Sequence, residues 1–463
     1  MFNAMLAAFT LYFSILLGIG VYFYRKSQSH SEFSSGNRSL NYWLTAISAQ
    51  ASDMSDWLFM GFPGLIYAVG LSGVWFALGL VVFMFLTWTF IASELRKQTE
   101  QHDTLTLSSF FEKKLQDKTN IIKIISGMFC LYFFTFYIAA GIVGLGRVFE
   151  IVFEIPYHSG IFLGLGLSLV YTLLGGRMAV AWSNACQGVF LLACIMLVPL
   201  YAVYSKLGGF AQLSNSLQLF GTDYFSLWPT GGIIATLSAL LTWGPGYFGQ
   251  PHILVNFMGI NDPKNISKAR IVGLCWQISV LSAAVLVGIV GKAMLFPELA
   301  NRELVFIVMV KQLFTPFVAG FILCSVLAAT VSTINIQSLI CASLISEDLY
   351  FPLFNPNGTD AQKMLFTRLS IFIIPIISLL IAWNDSLNVL ELVLYAWAGL
   401  GSTFGPIVIL SLYSTRLTRS GAVAGLLTGG LTAMLWPIGG MVPTLVAGYA
   451  ISMSSALMVS RFK

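Results

Sequence analysis

The chain has 463 residues, of which 57% are apolar and 9% charged, with a formal net charge of +5 and a mean hydropathy of +0.83. A soluble domain carries about 25% charged residues, so this composition excludes an ordinary water-soluble fold and places most of the chain in lipid. The basic residues lie in short clusters between apolar stretches and form no stripe, which excludes a nucleic-acid surface.

Apolar runs predict about thirteen transmembrane helices, at 4–24, 42–70, 73–94, 121–149, 157–176, 179–204, 230–256, 269–296, 315–345, 366–383, 388–413, 420–438 and 440–460. Such runs suit a hydrocarbon core of roughly 30 Å. The first lacks a preceding basic region and a small-residue cleavage site, so it is expected to stay as a helix and not to be removed as a signal peptide. The polar connections 25–41, 95–120, 205–229 and 346–365 are too short and plain for separate domains, and residues 1–463 read as one all-α polytopic membrane domain.

Two spans carry interruptions, and they lie five helices apart. The second contains Ser52-Asp53-Met54-Ser55-Asp56, and the seventh contains Thr242-Trp243-Gly244-Pro245-Gly246-Tyr247, neither of which sustains an unbroken hydrogen-bond ladder. Interruptions at matching positions of two five-helix halves predict an inverted-repeat transporter with its site at the midplane. The repeats are expected at 42–204 and 230–413. Residues 1–41, an extra helix and a cytoplasmic loop, and 414–463, two further helices, are additions. The loop charges predict orientation: with the N-terminus outside and the C-terminus in the cytoplasm, 19 of the 24 lysines and arginines fall inside, leaving Arg147, Lys206, Lys292, Arg302 and Lys311 outside.

Asp53 and Asp56 are the strongest local signal. A carboxylate at bilayer depth is costly unless it meets a cavity or a cation, and no lysine or arginine lies in mid-membrane to pair with it. Pairing with a neighbouring helix for structure alone is the competing reading. Unwinding here frees the carbonyls of Ala51 and Met54, hard oxygen ligands suited to a small alkali cation. In the ninth span Ala328-Ala329-Thr330-Val331-Ser332-Thr333 offers adjacent hydroxyls, for which close packing is the competing role. Trp57, Trp243 and Tyr247 flank the interruptions, and Pro245 and Pro251 bracket a half-helix N-terminus able to receive a carboxylate. The four histidines are dispersed and the six cysteines lack metal spacing, so the cysteines read as packing thiols. No phosphate-binding glycine loop and no hydrolase motif is present, which excludes an ATP-driven pump in a single chain and leaves no basis for an enzyme.

At Thr45–Gly64, Trp243–Leu254, Gly175–Gly188 and Ala328–Tyr350 the chain resembles the bacterial sodium/proline symporters of the solute:sodium symporter family. The resemblance implies a LeuT-like five-plus-five inverted repeat with one N-terminal and two C-terminal extra helices. It implies a sodium site made by the backbone oxygens of Ala51, Met54 and Ala329 and the hydroxyls of Ser332 and Thr333, with Asp53 supporting it. Ser55, Trp57, Gly61, Tyr137, Trp243, Tyr247 and Pro251 fall on positions linked to proline. Asp56 stands where those carriers have glycine, with three roles open: meeting an amino group, binding a second cation or taking up a proton. Asn184, Asn335 and Ile336 replace groups that form a second sodium site in some relatives, which implies one Na+ per substrate.

The expected function is therefore sodium-coupled import of a small amino acid, proline foremost, by alternating access across the bacterial plasma membrane. The alternatives are sodium- or proton-coupled transport of another small amino acid or carboxylate, and a transporter-like solute sensor. The expected partners are the substrate and the bilayer, with no nucleic acid and no obligatory protein partner.

Overall fold

A computed structural model describes residues 2–24, 38–104, 106–297, 299–436 and 442–461. Arg25, Lys26, His30 and Lys463, used in the sequence reading, lie outside the described residues. Among the described residues the one extended pairing is an isolated bridge between Leu40 and Ile260; everything else that is regular is helical. Seven helical segments are long and apolar enough to cross a membrane.

The first half comprises α1 (Phe2–Tyr24), α2 (Tyr42–Asp53), α3 (Gly61–Val69), α4 (Val74–Leu86), α5 (Ala92–Gln101), α6 (Leu107–Lys114), α7 (Ile121–Phe153) and α8 (Tyr157–Ser205). After the short α9 (Phe210–Leu217), the second half comprises α10 (Gly232–Trp243), α11 (Pro251–Met258), α12 (Ile266–Leu295), α13 (Val305–Leu313), α14 (Pro316–Ser343), α15 (Asp360–Ser370), α16 (Ile373–Ala382) and α17 (Val389–Tyr413). Helices α18 (Arg419–Leu435) and α19 (Thr444–Arg461) follow and pack on each other and on α17. The expected second span is split into α2 and α3, and the expected seventh into α10 and α11. In each case a short 3-10 turn fills the gap, Asp56–Leu58 in one and Gly244–Gly249 in the other.

The fold departs from the sequence expectation in several places. Residues 157–176 and 179–204, expected as two separate helices, form the single helical run α8. Its two parts pack on neighbouring elements. Gly160 and Gly164 abut Phe149 and Leu145 of α7, Tyr201 stacks on Phe314, and Lys311 Nζ donates to Ile151 O at 2.9 Å. Helix α6 falls in the expected connection 95–120 and α9 in 205–229, and α13 lies between the expected spans 269–296 and 315–345.

Charged groups outside the core form two sets of local contacts. One holds Arg38, Arg96 and Glu100 together, Lys123 with Glu112 at 2.6 Å, and Arg419 with Asp117 at 2.8 Å. The other holds Arg147 with Glu150, and Lys292 over the rings of Tyr67 and Phe296.

Candidate functional site

Helix α2 stops at Asp53 because the polar residues after it offer the backbone competing bonds. The Ser55 N–H donates to Asp53 O at 3.1 Å, Ser55 is extended (φ −89°, ψ −159°), and the Trp57 N–H donates to Asp56 Oδ1 at 3.1 Å. On the other side of the site, Pro245 lies within the 3-10 turn and Gln250 is extended, after which Pro251 starts α11 at the first helical position, where no N–H is needed. Gly246 makes this possible: a Cβ there would sit 2.0 Å from Trp397 Nε1. That indole instead donates to the freed Trp243 carbonyl at 2.7 Å, and Gln250 Nε2 donates to Trp397 O at 3.0 Å.

The unwound end of α2 faces α14. Ser332 Oγ lies 2.9 Å from Ala51 O and 2.8 Å from Ala329 O, and Thr333 Oγ1 lies 3.2 Å from Ala329 O. A hydroxyl has one proton, so Ser332 satisfies one carbonyl at a time. The cluster is thus rich in hard oxygen acceptors and poor in donors, which is the chemistry an alkali cation completes. Four of the five residues expected to ligate sodium meet here. Met54, the fifth, is buried where α2 unwinds, its own N–H on Gln50 O at 3.0 Å.

Asp53 joins three elements. Its Oδ2 accepts the Tyr247 hydroxyl at 2.6 Å, and Tyr247 accepts from Gln277 Nε2 of α12 at 2.8 Å. Gln50 Nε2 reaches Gln277 Oε1 at 3.2 Å. Asp53 Oδ1 has no hydrogen-bond partner among the described residues, and no described lysine, arginine or histidine forms an ion pair with Asp53 or Asp56. Gln50, Gln277 and Trp397 were missed by the sequence reading. A glutamine inside an apolar span is itself costly, and that signal was available.

The aromatic residues expected around the substrate converge. The rings of Trp57 and Trp243 lie 4.9 Å apart, Phe62 closes on both, and Tyr247 meets Trp397 edge-on at 5.1 Å. Trp57 Nε1 donates to Asp53 O at 3.0 Å, and the Tyr137 hydroxyl lies 3.5 Å from the same oxygen. Ser55 and Asp56 are buried in the interruption, while Gly61 opens α3 against Leu390 of α17. Pro251 stands apart. It lines a separate cleft with Cys130, Ser343 and Phe404, because the extended Gln250 carries the chain away from the aromatic cluster before α11 begins. Asn184 is buried with neither amide atom hydrogen-bonded among the described residues, and Asn335 and Ile336 are buried in α14.

Residues 33–429 match the Sodium:solute symporter family. The chain is 37% identical over 459 residues to the osmoregulated proline transporter OpuE of Bacillus subtilis, covering 97% of this chain and 93% of that protein. It is 37% identical to the high-affinity proline transporter PutP of the same organism, covering 96% and 95%, and 40% identical to a sodium/proline symporter of Staphylococcus aureus, covering 92% and 84%. The fold is similar to that of a Na+-coupled sialic acid symporter in a substrate-bound outward-open state, with a TM-score of 0.83 at 17% identity over 99% of this chain and 98% of that one. It is also similar to that of MhsT in complex with L-phenylalanine, with a TM-score of 0.58 at 12% identity over 90% and 97%. The architecture is thus the LeuT-like one expected from the two interrupted spans, and the chain belongs to the sodium:solute symporter family.

Proposed function

We propose that this sodium-coupled symporter imports a small amino acid, proline foremost, with one Na+ per substrate and by alternating access. Sodium is held by Ala51, Met54, Ala329, Ser332 and Thr333 with Asp53 as its charged support, and substrate sits between Ser55, Asp56, Trp57, Tyr137, Trp243 and Tyr247. Gly61 and Pro251 border the paths to the two sides. The observation that carries this is the Ser332 hydroxyl within 3 Å of carbonyls from two different helices, one of them broken at that point. A cation there ties α2 to α14, and the same turn of chain carries Asp56 and Trp57, so ion binding organises the substrate pocket.

The repeats run over 42–204 and 230–413, each beginning with its interrupted span. The protein lies in the bacterial plasma membrane with its N-terminus outside, so that the Arg96, Lys123 and Arg419 set faces the cytoplasm. Sodium entry is then driven by the membrane potential, worth about 2.3 kcal/mol per charge per 100 mV. Proteoliposomes loaded in low sodium and given an inward sodium gradient are expected to accumulate labelled proline. A proton gradient of equal size should not replace it. Uptake driven equally well by protons alone would refute sodium as the coupled ion.

A further inference from the structure

The carboxylate that supports the sodium site ends a chain of four buried side chains, and one of them belongs to a helix that supplies none of the expected ligands. Resting on the assignment of Asp53 as that support, we infer that Gln277 of α12 is a positioning residue for sodium. It acts through the Tyr247 hydroxyl, which it commits to one oxygen of Asp53, so that the carboxylate is held in a single orientation with its second oxygen untied.

The order of donors along the chain is forced, and the forcing starts at a backbone carbonyl. Gly273 O can only accept, and Gln50 Nε2 donates to it at 2.8 Å. The same nitrogen donates to Gln277 Oε1 at 3.2 Å, which leaves the Gln277 Nε2 to donate to the Tyr247 hydroxyl oxygen at 2.8 Å. A tyrosine hydroxyl has one proton, and with Gln277 donating into its oxygen that proton goes to Asp53 Oδ2 at 2.6 Å. Turning either amide over would set acceptor against acceptor at Gly273 or donor against donor between the two glutamines.

Gln50, Asp53, Tyr247 and Gln277 are all completely buried, so water does not substitute for a lost member of the chain. The Tyr247 ring is set edge-on against Trp397 at 5.1 Å, which presents its hydroxyl from a fixed position. Asp53 Oδ1 has no hydrogen-bond partner among the described residues. One oxygen tied and one untied suits a carboxylate that serves a cation, since outer partners set the orientation of the groups around a metal ion.

Helix packing alone does not account for Gln277. The Gln50 bond to Gly273 already joins α2 to α12 without it. What Gln277 adds is the donor to Tyr247, which lies in the Gly244–Gly249 turn of the other interrupted span. Its side chain therefore bears on both interruptions at once.

The test is radioactive sodium binding to purified protein, with the thermal midpoint as the measure of folding. Gln277→Met keeps the length of the side chain and removes its polar end; it should raise half-saturating sodium about tenfold or more. Tyr247→Phe should do the same, and the double variant should lie within about twofold of Tyr247→Phe alone, because the hydroxyl through which Gln277 acts is already gone. Wild-type sodium affinity in Gln277→Met, even with a lowered thermal midpoint, overturns the proposal, as do losses that multiply in the double variant. Should Gln277→Met fail to fold, Gln50→Met takes its place: it frees the Gln277 amide to turn over and should raise half-saturating sodium at least about threefold, and an unchanged value overturns the proposal equally. Asp53→Asn separates this inference from the reading beneath it. Wild-type affinity in Asp53→Asn refutes Asp53 as the support and the chain's role with it, whereas a loss there with none in Gln277→Met overturns the role of Gln277 alone.

Discussion

Two sets of buried aspartates divide the labour in this protein. Asp348 lies in the π-helical turn Leu344–Tyr350 at the end of α14, and both its oxygens are taken: Thr106 Oγ1 donates to one at 2.7 Å and Ser109 Oγ to the other at 2.6 Å. Thr106 is also the N-cap of α6, so the carboxylate pins that helix to α14. Asp53 and Asp56 are as deeply buried, yet each has an oxygen with no hydrogen-bond partner among the described residues. A polar network satisfied from within is a joint, whereas one left open at equal burial awaits a group the protein lacks. Burial alone does not separate the two cases; pairing does.

The widest break in this comparison comes from Asp53→Asn, which removes the charge supporting the cation. Half-saturating sodium for uptake should rise about 100-fold, or about 2.7 kcal/mol; normal uptake at limiting sodium would refute its assignment. Replacing both Ser332 and Thr333 by alanine should raise the same value about tenfold or more, and an unchanged sodium curve would remove α14 from the site. Asp348→Ala should act on stability instead. It strands the buried Thr106 hydroxyl and the half-buried Ser109 hydroxyl, costing about 2 kcal/mol and lowering the thermal midpoint, while the folded fraction keeps its sodium affinity within about twofold.

The smallest effect is expected at Asp117, which lies before α7. It accepts from the Ile122 and Thr119 N–H groups and pairs with Arg419. Burial pushes this carboxyl up, but those hydrogen bonds and the Arg419 charge outweigh it and hold it below its ordinary value. Its contribution is therefore present above the ordinary carboxylate range and lost as pH falls through the depressed value. Asp117→Asn should cost about 1 kcal/mol at neutral pH and flatten the acid side of a thermal-stability profile. A variant with the wild-type acid profile would show the bond to be incidental.

What the sequence made legible follows from how local each cause is. Both interruptions were readable because Ser52–Asp56 and Trp243–Tyr247 carry the disruption in their own side chains. The aromatic cluster followed from its place beside them. The bond from Gln277 to Tyr247 was not readable, nor was the cap of Trp397 on Trp243, 154 residues distant, because neither pattern announces its partner. Asp348 escaped for the same reason, with its partners 239 and 242 residues away. Helices α9 and α13 are too short for an apolar run to reveal them.

The central claim is that one sodium ion is held where the end of α2 meets Ser332 and Thr333. Counting radioactive sodium bound to purified protein tests it without relying on transport. Wild type should saturate at one ion per chain, and at the sodium concentration that half-saturates it the Ser332→Ala, Thr333→Ala double variant should bind about a fifth as much or less. Equal binding by both proteins would place the ion elsewhere and contradict the account.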